Sequence, residues 1–127
     1  MKETVENLSQ ESEVSYDTLI FSEDTMLDFS QVAAGVFTNI KQIDLSQGSH
    51  LLDNLSVEDV VSMSGSNELT ILGDSVSSVN LIDSSDNWQN IGSDLIGGRD
   101  FTVYSNTYNS DTVTVYIEQD VNDAILP

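Results

Sequence analysis

Two chemistries are open to the side chains of this sequence: ligation of a hard cation and stacking of a ligand on aromatic rings. In Asp83-Ser84-Ser85-Asp86-Asn87, consecutive residues all carry oxygen donors. A calcium ion takes six to eight such oxygens from Asp, Asn, Ser and backbone carbonyls in loops, so Asp83, Asp86 and Asn87 are candidate metal ligands. The stretch lacks the alternating aspartates and glycine of an EF-hand loop. Asp, Ser and Asn are also the residues that reverse a chain, so a plain turn before Trp88 is the competing reading. An exposed ring on a β face can stack on a sugar. Trp88 is expected in the core because of its large apolar body, which leaves Tyr104, Tyr108 and Tyr116 as candidate ligand-binding side chains.

Catalytic chemistry is poorly supplied. His50 is the one histidine and there is no cysteine, so neither a thiolate nucleophile nor a zinc set of the usual kind can be assembled. His50 follows Gln47-Gly48-Ser49, a turn-like stretch, and reads as a solvated loop residue, not as a general base. Gly97-Gly98-Arg99 lacks the spacing and the Lys-Ser or Lys-Thr of a phosphate-binding loop. Carboxylates are so numerous that a glycosidase-like pair carries no information. The expectation is a protein that is not an enzyme.

The elements that must position these residues are short. Thr18-Leu19-Ile20-Phe21, Met26-Leu27-Asp28-Phe29, Ile40 to Leu45, Leu69-Thr70-Ile71-Leu72 and Val79-Asn80-Leu81-Ile82 are strand-sized apolar runs bounded by Ser, Asp, Asn or Gly. A single short helix is predicted at about 56–63. Ser56 can cap the amide of Asp59 while Asp59 reaches back, Leu55 can staple onto Val60, and Gly65 can end the turn. The last third, about 93–118, reads as an antiparallel meander. Gly97-Gly98 forms a two-residue hairpin turn, and a polar loop, Asn106 to Ser110, precedes a strand with Val113, Val115 and Ile117 inward. The same alternation puts Phe101 and Val103 inward and Tyr104, with Tyr116 on the neighbouring strand, on a wetter face. The fold class is therefore all-β, a short-stranded sandwich or a roll-like domain with one short helix and a C-terminal antiparallel meander.

Length and charge set the outer bounds. At 127 residues the chain holds one domain of ordinary size. Residues 1–15, with four glutamates and few apolar side chains, read as a loose acidic leader or linker, and 16–127 as a single β domain. Twenty-two acidic residues against three basic ones give a formal charge of −19. Such a surface repels nucleic acid and anionic membranes and attracts divalent cations. No run is long and apolar enough for a signal-peptide core or a membrane span, so no direct membrane insertion is expected. The missing cysteines suit the cytosol and also those bacterial surface proteins that rely on metal ions in place of disulfides.

Tyr16-Asp17-Thr18-Leu19-Ile20-Phe21-Ser22 resembles the closing half of the glycine-rich calcium nonapeptide of RTX proteins. Leu27-Asp28-Phe29-Ser30, Phe37 to Leu45, the helix Leu55 to Val61, and Asn67 to Ser75 resemble, in order, segments found beside such repeats in large bacterial adhesins. Val79-Asn80-Leu81, Trp88, Phe101 to Asn106 and Val115 to Val121 continue the match in order to the end of the folded part. The resemblance implies a non-catalytic extracellular module of a large, type I secreted, calcium-dependent adhesin. It implies a place at the bacterial surface or in the secreted material, next to neighbouring repeats of the same chain, in attachment or biofilm formation. It also implies Asp17 as a calcium ligand, although Glu13-Val14-Ser15-Tyr16 stands where the nonapeptide has its glycines, so the rest of that site would come from outside the match. The alternatives are a module that binds a host or matrix glycan, peptide or protein, and an acidic cytosolic protein of a salt-adapted organism, in which the charge serves solubility alone.

Overall fold

The computed structural model describes residues 12–15, 18–21, 24–32, 37–82 and 88–126. Among them are the strands β1 (Ser12–Ser15), β2 (Thr18–Phe21), β3 (Thr25–Asp28), β4 (Gln42–Asp44), β5 (His50–Leu55), β6 (Glu68–Leu72), β7 (Ser78–Ile82), β8 (Gln89–Ile96), β9 (Arg99–Tyr108), β10 (Asp111–Glu118) and β11 (Asn122–Leu126). A 3-10 turn, Phe29–Gln31, and one α-helix, α1 (Val57–Ser64), complete the set. The protein is all-β with a single short helix.

Strands β2, β4, β6 and β10 lie side by side and parallel in one sheet. Strands β3, β5, β7 and β11 lie parallel in a second sheet, in the same order. The chain thus passes from the first sheet to the second and back, so that β2–β3, β4–β5, β6–β7 and β10–β11 are stacked coils of a roll. In such a stack each coil gains its main-chain hydrogen bonds from the coils on either side. The first sheet extends further at both ends. β1 adds antiparallel to β2, and the β8–β9 hairpin adds antiparallel to β10, giving the order β1-β2-β4-β6-β10-β9-β8.

The period of two along each strand makes the core. Leu19, Phe21, Ile43, Leu69, Ile71, Val113, Val115 and Ile117 from the first sheet pack with Leu27, Leu52, Leu55, Val79 and Leu81 from the second, all of them buried. Helix α1 returns the chain from β5 to β6. The Asp59 amide donates to Ser56 Oγ (3.2 Å) and the Ser56 amide to Asp59 Oδ2 (3.0 Å), the predicted capping box. Leu55 and Val60 are both fully buried beside it, and Gly65, at φ 65°, ends the helix by donating to the Val61 carbonyl. Burial raises the Asp59 carboxyl above its ordinary pKa, and its bonds from Ser56 act against that rise.

Several elements differ from expectation. Ser12–Ser15 forms a strand on β2, so the sheet begins inside the stretch read as a loose leader. β5 and β11 have no counterpart among the predicted strands. β9 runs on to Tyr108, and the turn to β10 is only Asn109-Ser110, at φ 51° and 70°, where a polar loop from Asn106 was expected. The Gly97-Gly98 turn is as predicted, with φ 59° and 84°. The faces of β9 are reversed: Thr102, Tyr104 and Asn106 stand opposite Ile117, Val115 and Val113, while Val103 pairs with Tyr116 and Phe101 with Glu118. Tyr104 belongs to the main core, and Phe101 and Val103 are buried outside it, on the other face of the sheet.

Ile117→Ala should cost about 2–5 kcal/mol in urea denaturation, as expected for truncating a fully buried side chain. Ile91→Ala, at a 60 % exposed position, should stay within about 0.5 kcal/mol of the parent. Equal losses would place Ile91 in a core that the fold does not give it.

Candidate interaction surface

Asp17, Asp83, Asp86 and Asn87, the predicted metal ligands, lie outside the described residues. Among the described residues no three His, Asp or Glu side chains converge as a cation cage. The predicted tyrosines do not form one surface. Tyr104 is buried and Tyr108 packs partly against the core on the same face of β9, whereas Tyr116 sits on the opposite face of the sheet. Trp88 is buried, as its size led one to expect.

Tyr104 instead links the two sheets. Its hydroxyl shares a hydrogen bond with the Asp123 carboxylate of β11. Burial first, then the negative charge of Asp123 and the hydrogen bond to it, push the Tyr104 pKa up to about 12. Asp123 is itself raised above the ordinary carboxylate value, because burial outweighs the hydrogen bond it accepts. A buried phenol needs a partner, and nothing on β9 hints which residue provides it.

The outer face of the second sheet carries a row of carboxylates and amides. Asp28 and Asp53 are register partners on β3 and β5, and two like charges placed so would repel. Amides are interleaved between them: Asn54 Nδ2 donates to Asp28 Oδ1 (2.9 Å) and Asn80 Nδ2 to Asp53 Oδ1 (3.1 Å). The bond from Asn54, then those from Ser30, hold the Asp28 carboxyl below its ordinary pKa. The charge is present but locally spent on donors, so the row is a structural ladder.

His50 is not a solvated loop residue. It begins β5 and is buried, its ring lies 5.4 Å from that of Phe21, and its Nε2 is hydrogen-bonded to the Gln47 carbonyl. Its amide donates to Ser77 Oγ, Ser49 Oγ donates to the Val76 carbonyl, and the Asn122 amide donates to the Ser77 carbonyl. These bonds tie successive coils at one corner of the roll. A groove of ≈ 460 Å³ beside that corner is lined by Asp24, Met26, Ser49, His50, Leu51 and Val76. Its walls set Asp24, Ser49 and His50 beside the apolar Met26, Leu51 and Val76.

The most exposed element is β8. It is the outer strand of the longer sheet and all eight of its residues are exposed, including Ile91, Leu95 (66 %) and Ile96 (43 %). Its only charged side chain is Asp94. The one cation of this hairpin, Arg99, is paired with Glu118 at 3.2 Å, which leaves Asp94 and Asp100 to set the sign of the surface. That no described strand pairs with the outer side of β8 is invisible in the sequence, which marks only a hairpin strand there. No protein-family model, curated protein or solved structure matches the chain.

Because folding raises the Tyr104 pKa, the folded state holds the phenolic proton more tightly than the unfolded chain does. The stability due to it is complete below pH 10 and is lost as pH rises toward about 12. Melting temperature measured from pH 9 to 12 should therefore fall less steeply in Tyr104→Phe than in the parent, and identical slopes would contradict the link. For Asp123 the same sign applies at lower pH, so Asp123→Asn should gain stability relative to the parent as pH is raised from 3 to 7. Asn54→Asp, which replaces the donor to Asp28 by a carboxylate, should lower the melting temperature at pH 7, with the deficit shrinking as pH falls toward 3.

Proposed function

We propose that the chain is a non-catalytic module of a large bacterial surface adhesin, secreted or held at the cell exterior, that serves attachment or biofilm formation as a spacer between other repeats. The observation that carries this reading is the stack of parallel two-strand coils. A solenoid grows by adding coils, and each coil needs only its neighbours, which suits a module strung among repeats in one long chain. The ordered resemblance from Tyr16 to Val121 and the charge of −19 agree with it. Dispersed carboxylates repel within an isolated module and are screened by divalent cations outside the cell.

Calcium enters this reading in two ways. It screens the dispersed charge, and it is ligated by Asp83, Asp86 and Asn87 and by Asp17 together with groups outside the stretch that carries the resemblance. Ligands that bind only the native state raise its melting temperature. At matched ionic strength, millimolar calcium should raise the midpoint above that in magnesium or chelator. Equal midpoints in all three would remove specific ligation and leave screening alone.

The cellular part has its own test. Antibodies raised against the module should label intact cells of the source organism and reduce their attachment to surfaces. Labelling only after permeabilisation would support the acidic cytosolic alternative.

A further inference from the structure

Among the described residues no strand pairs with the outer edge of β8, and the sign of its surroundings states what kind of strand it would accept. In the hairpin, the two-residue Gly97-Gly98 turn makes Ile96 and Arg99 the closing hydrogen-bonded pair, so Asp94 and Phe101 are bonded next. Ser93 and Leu95 then turn their backbone groups away from β9, toward the open side. The Leu95 amide confirms this orientation, because it is occupied by the strand's own Asp94 carboxylate, at 2.9 Å. At the bulge, the Gly92 amide is likewise held by Asn90 Oδ1, at 2.9 Å. Side-chain caps and a bulge are how a sheet edge is kept from pairing at random.

The Asp94 cap is also a filter. A strand that pairs with Leu95 must replace the carboxylate with its own carbonyl, and a cation on that strand then pairs with the displaced carboxylate. On its face stands Glu118, register partner of Phe101, whose salt bridge already uses Arg99, while Asp100, register partner of Leu95, adds negative charge on the opposite face. Tyr116, two strands away on the outer face, is raised in pKa by burial first and then by Glu68 and Asp94, so the negative potential of Asp94 extends over this end of the sheet. A second copy of the chain, with charge −19, brings the same sign to the same edge.

We propose that the β8 edge, from Gly92 to Ile96, is a strand-addition site for an extended cationic segment of another protein. A Lys or Arg of the segment takes Asp94 on one face of the strand, and apolar side chains lie along Leu95 on the other. Main-chain bonds supply the docking, as in other cases of strand addition to an open sheet, and the charge supplies the selection. The site stands independently of the adhesin reading.

The test is fluorescence anisotropy with a labelled eight-residue peptide that alternates lysine with valine and threonine, titrated with the whole chain. Binding is expected, weakened at least tenfold between 50 and 500 mM NaCl, with amide shifts at Ser93 and Leu95 in NMR spectra. The same peptide with alternate amides N-methylated keeps its charge and loses its edge, and should bind at least tenfold more weakly without any change to the protein. Asp94→Lys should weaken the unmodified peptide at least tenfold, and Ser93→Pro, which removes an outward amide, should abolish pairing at an unchanged melting temperature. Equal binding of the methylated peptide would reduce the effect to diffuse electrostatics and overturn the proposal. Equal binding of a glutamate-for-lysine peptide, no binding at all, or a dimer formed without peptide would overturn it too.

Discussion

Strand β10 sets the terms for the rest of the molecule. It pairs parallel to β6 on one side and antiparallel to β9 on the other, with Val113, Val115 and Ile117 all fully buried on its inner face. A slip of one residue would turn all three to the outside, so their burial fixes the register of both neighbours. The parallel roll and the antiparallel hairpin are thus joined through one strand. That junction explains the reversed faces of β9, whose side chains follow the valines of β10 and not their own hydropathy. It also forces a tyrosine hydroxyl into the space between the sheets, where Asp123 of the last coil takes it.

The acidic composition is accommodated by local use of carboxylates more than by ion pairing. Asp28 accepts the Ser30 amide, Asp44 the Ser46 amide and Asp74 the Val76 amide, each two residues on, and Asp24 accepts the Ser49 amide from the next coil. These are the bends by which the chain leaves a strand or crosses between sheets, and a short acidic side chain there satisfies a backbone donor that has no ladder partner. The carboxylates serve the turns of a roll first. What remains of their charge forms the field around the exposed strands.

The sequence carried much of this fold where the signal was local. Ser56 and Asp59 cap the helix they spell, Gly97-Gly98 turns the hairpin it marks, and Leu69 to Leu72 and Val79 to Ile82 are strands. It was silent where the signal was not local. β5 hides because Asn54, at φ 56°, breaks the alternation between Leu52 and Leu55, and because the turn before it made His50 look solvated. β11 opens with Asn122 and Asp123, which read as loop until a neighbouring strand gives them partners. The candidate surfaces were less legible still. Three tyrosines that look equivalent along the chain end on two faces, and the openness of β8 is a property of sheet order that no residue in it declares.

The roll depends on coils stacked in parallel, and interstrand NOEs in the folded protein test that stacking most directly. Antiparallel neighbours bring α-protons together at their non-hydrogen-bonded pairs, whereas parallel neighbours do not. Amide-to-α cross-peaks, without α-to-α peaks, are expected between 69–71 and 115–117 and between 79–81 and 123–125, together with α-to-α peaks across the β8–β9 hairpin. Strong α-to-α peaks linking β6 to β10 or β7 to β11 would make the molecule an antiparallel sandwich and contradict the roll.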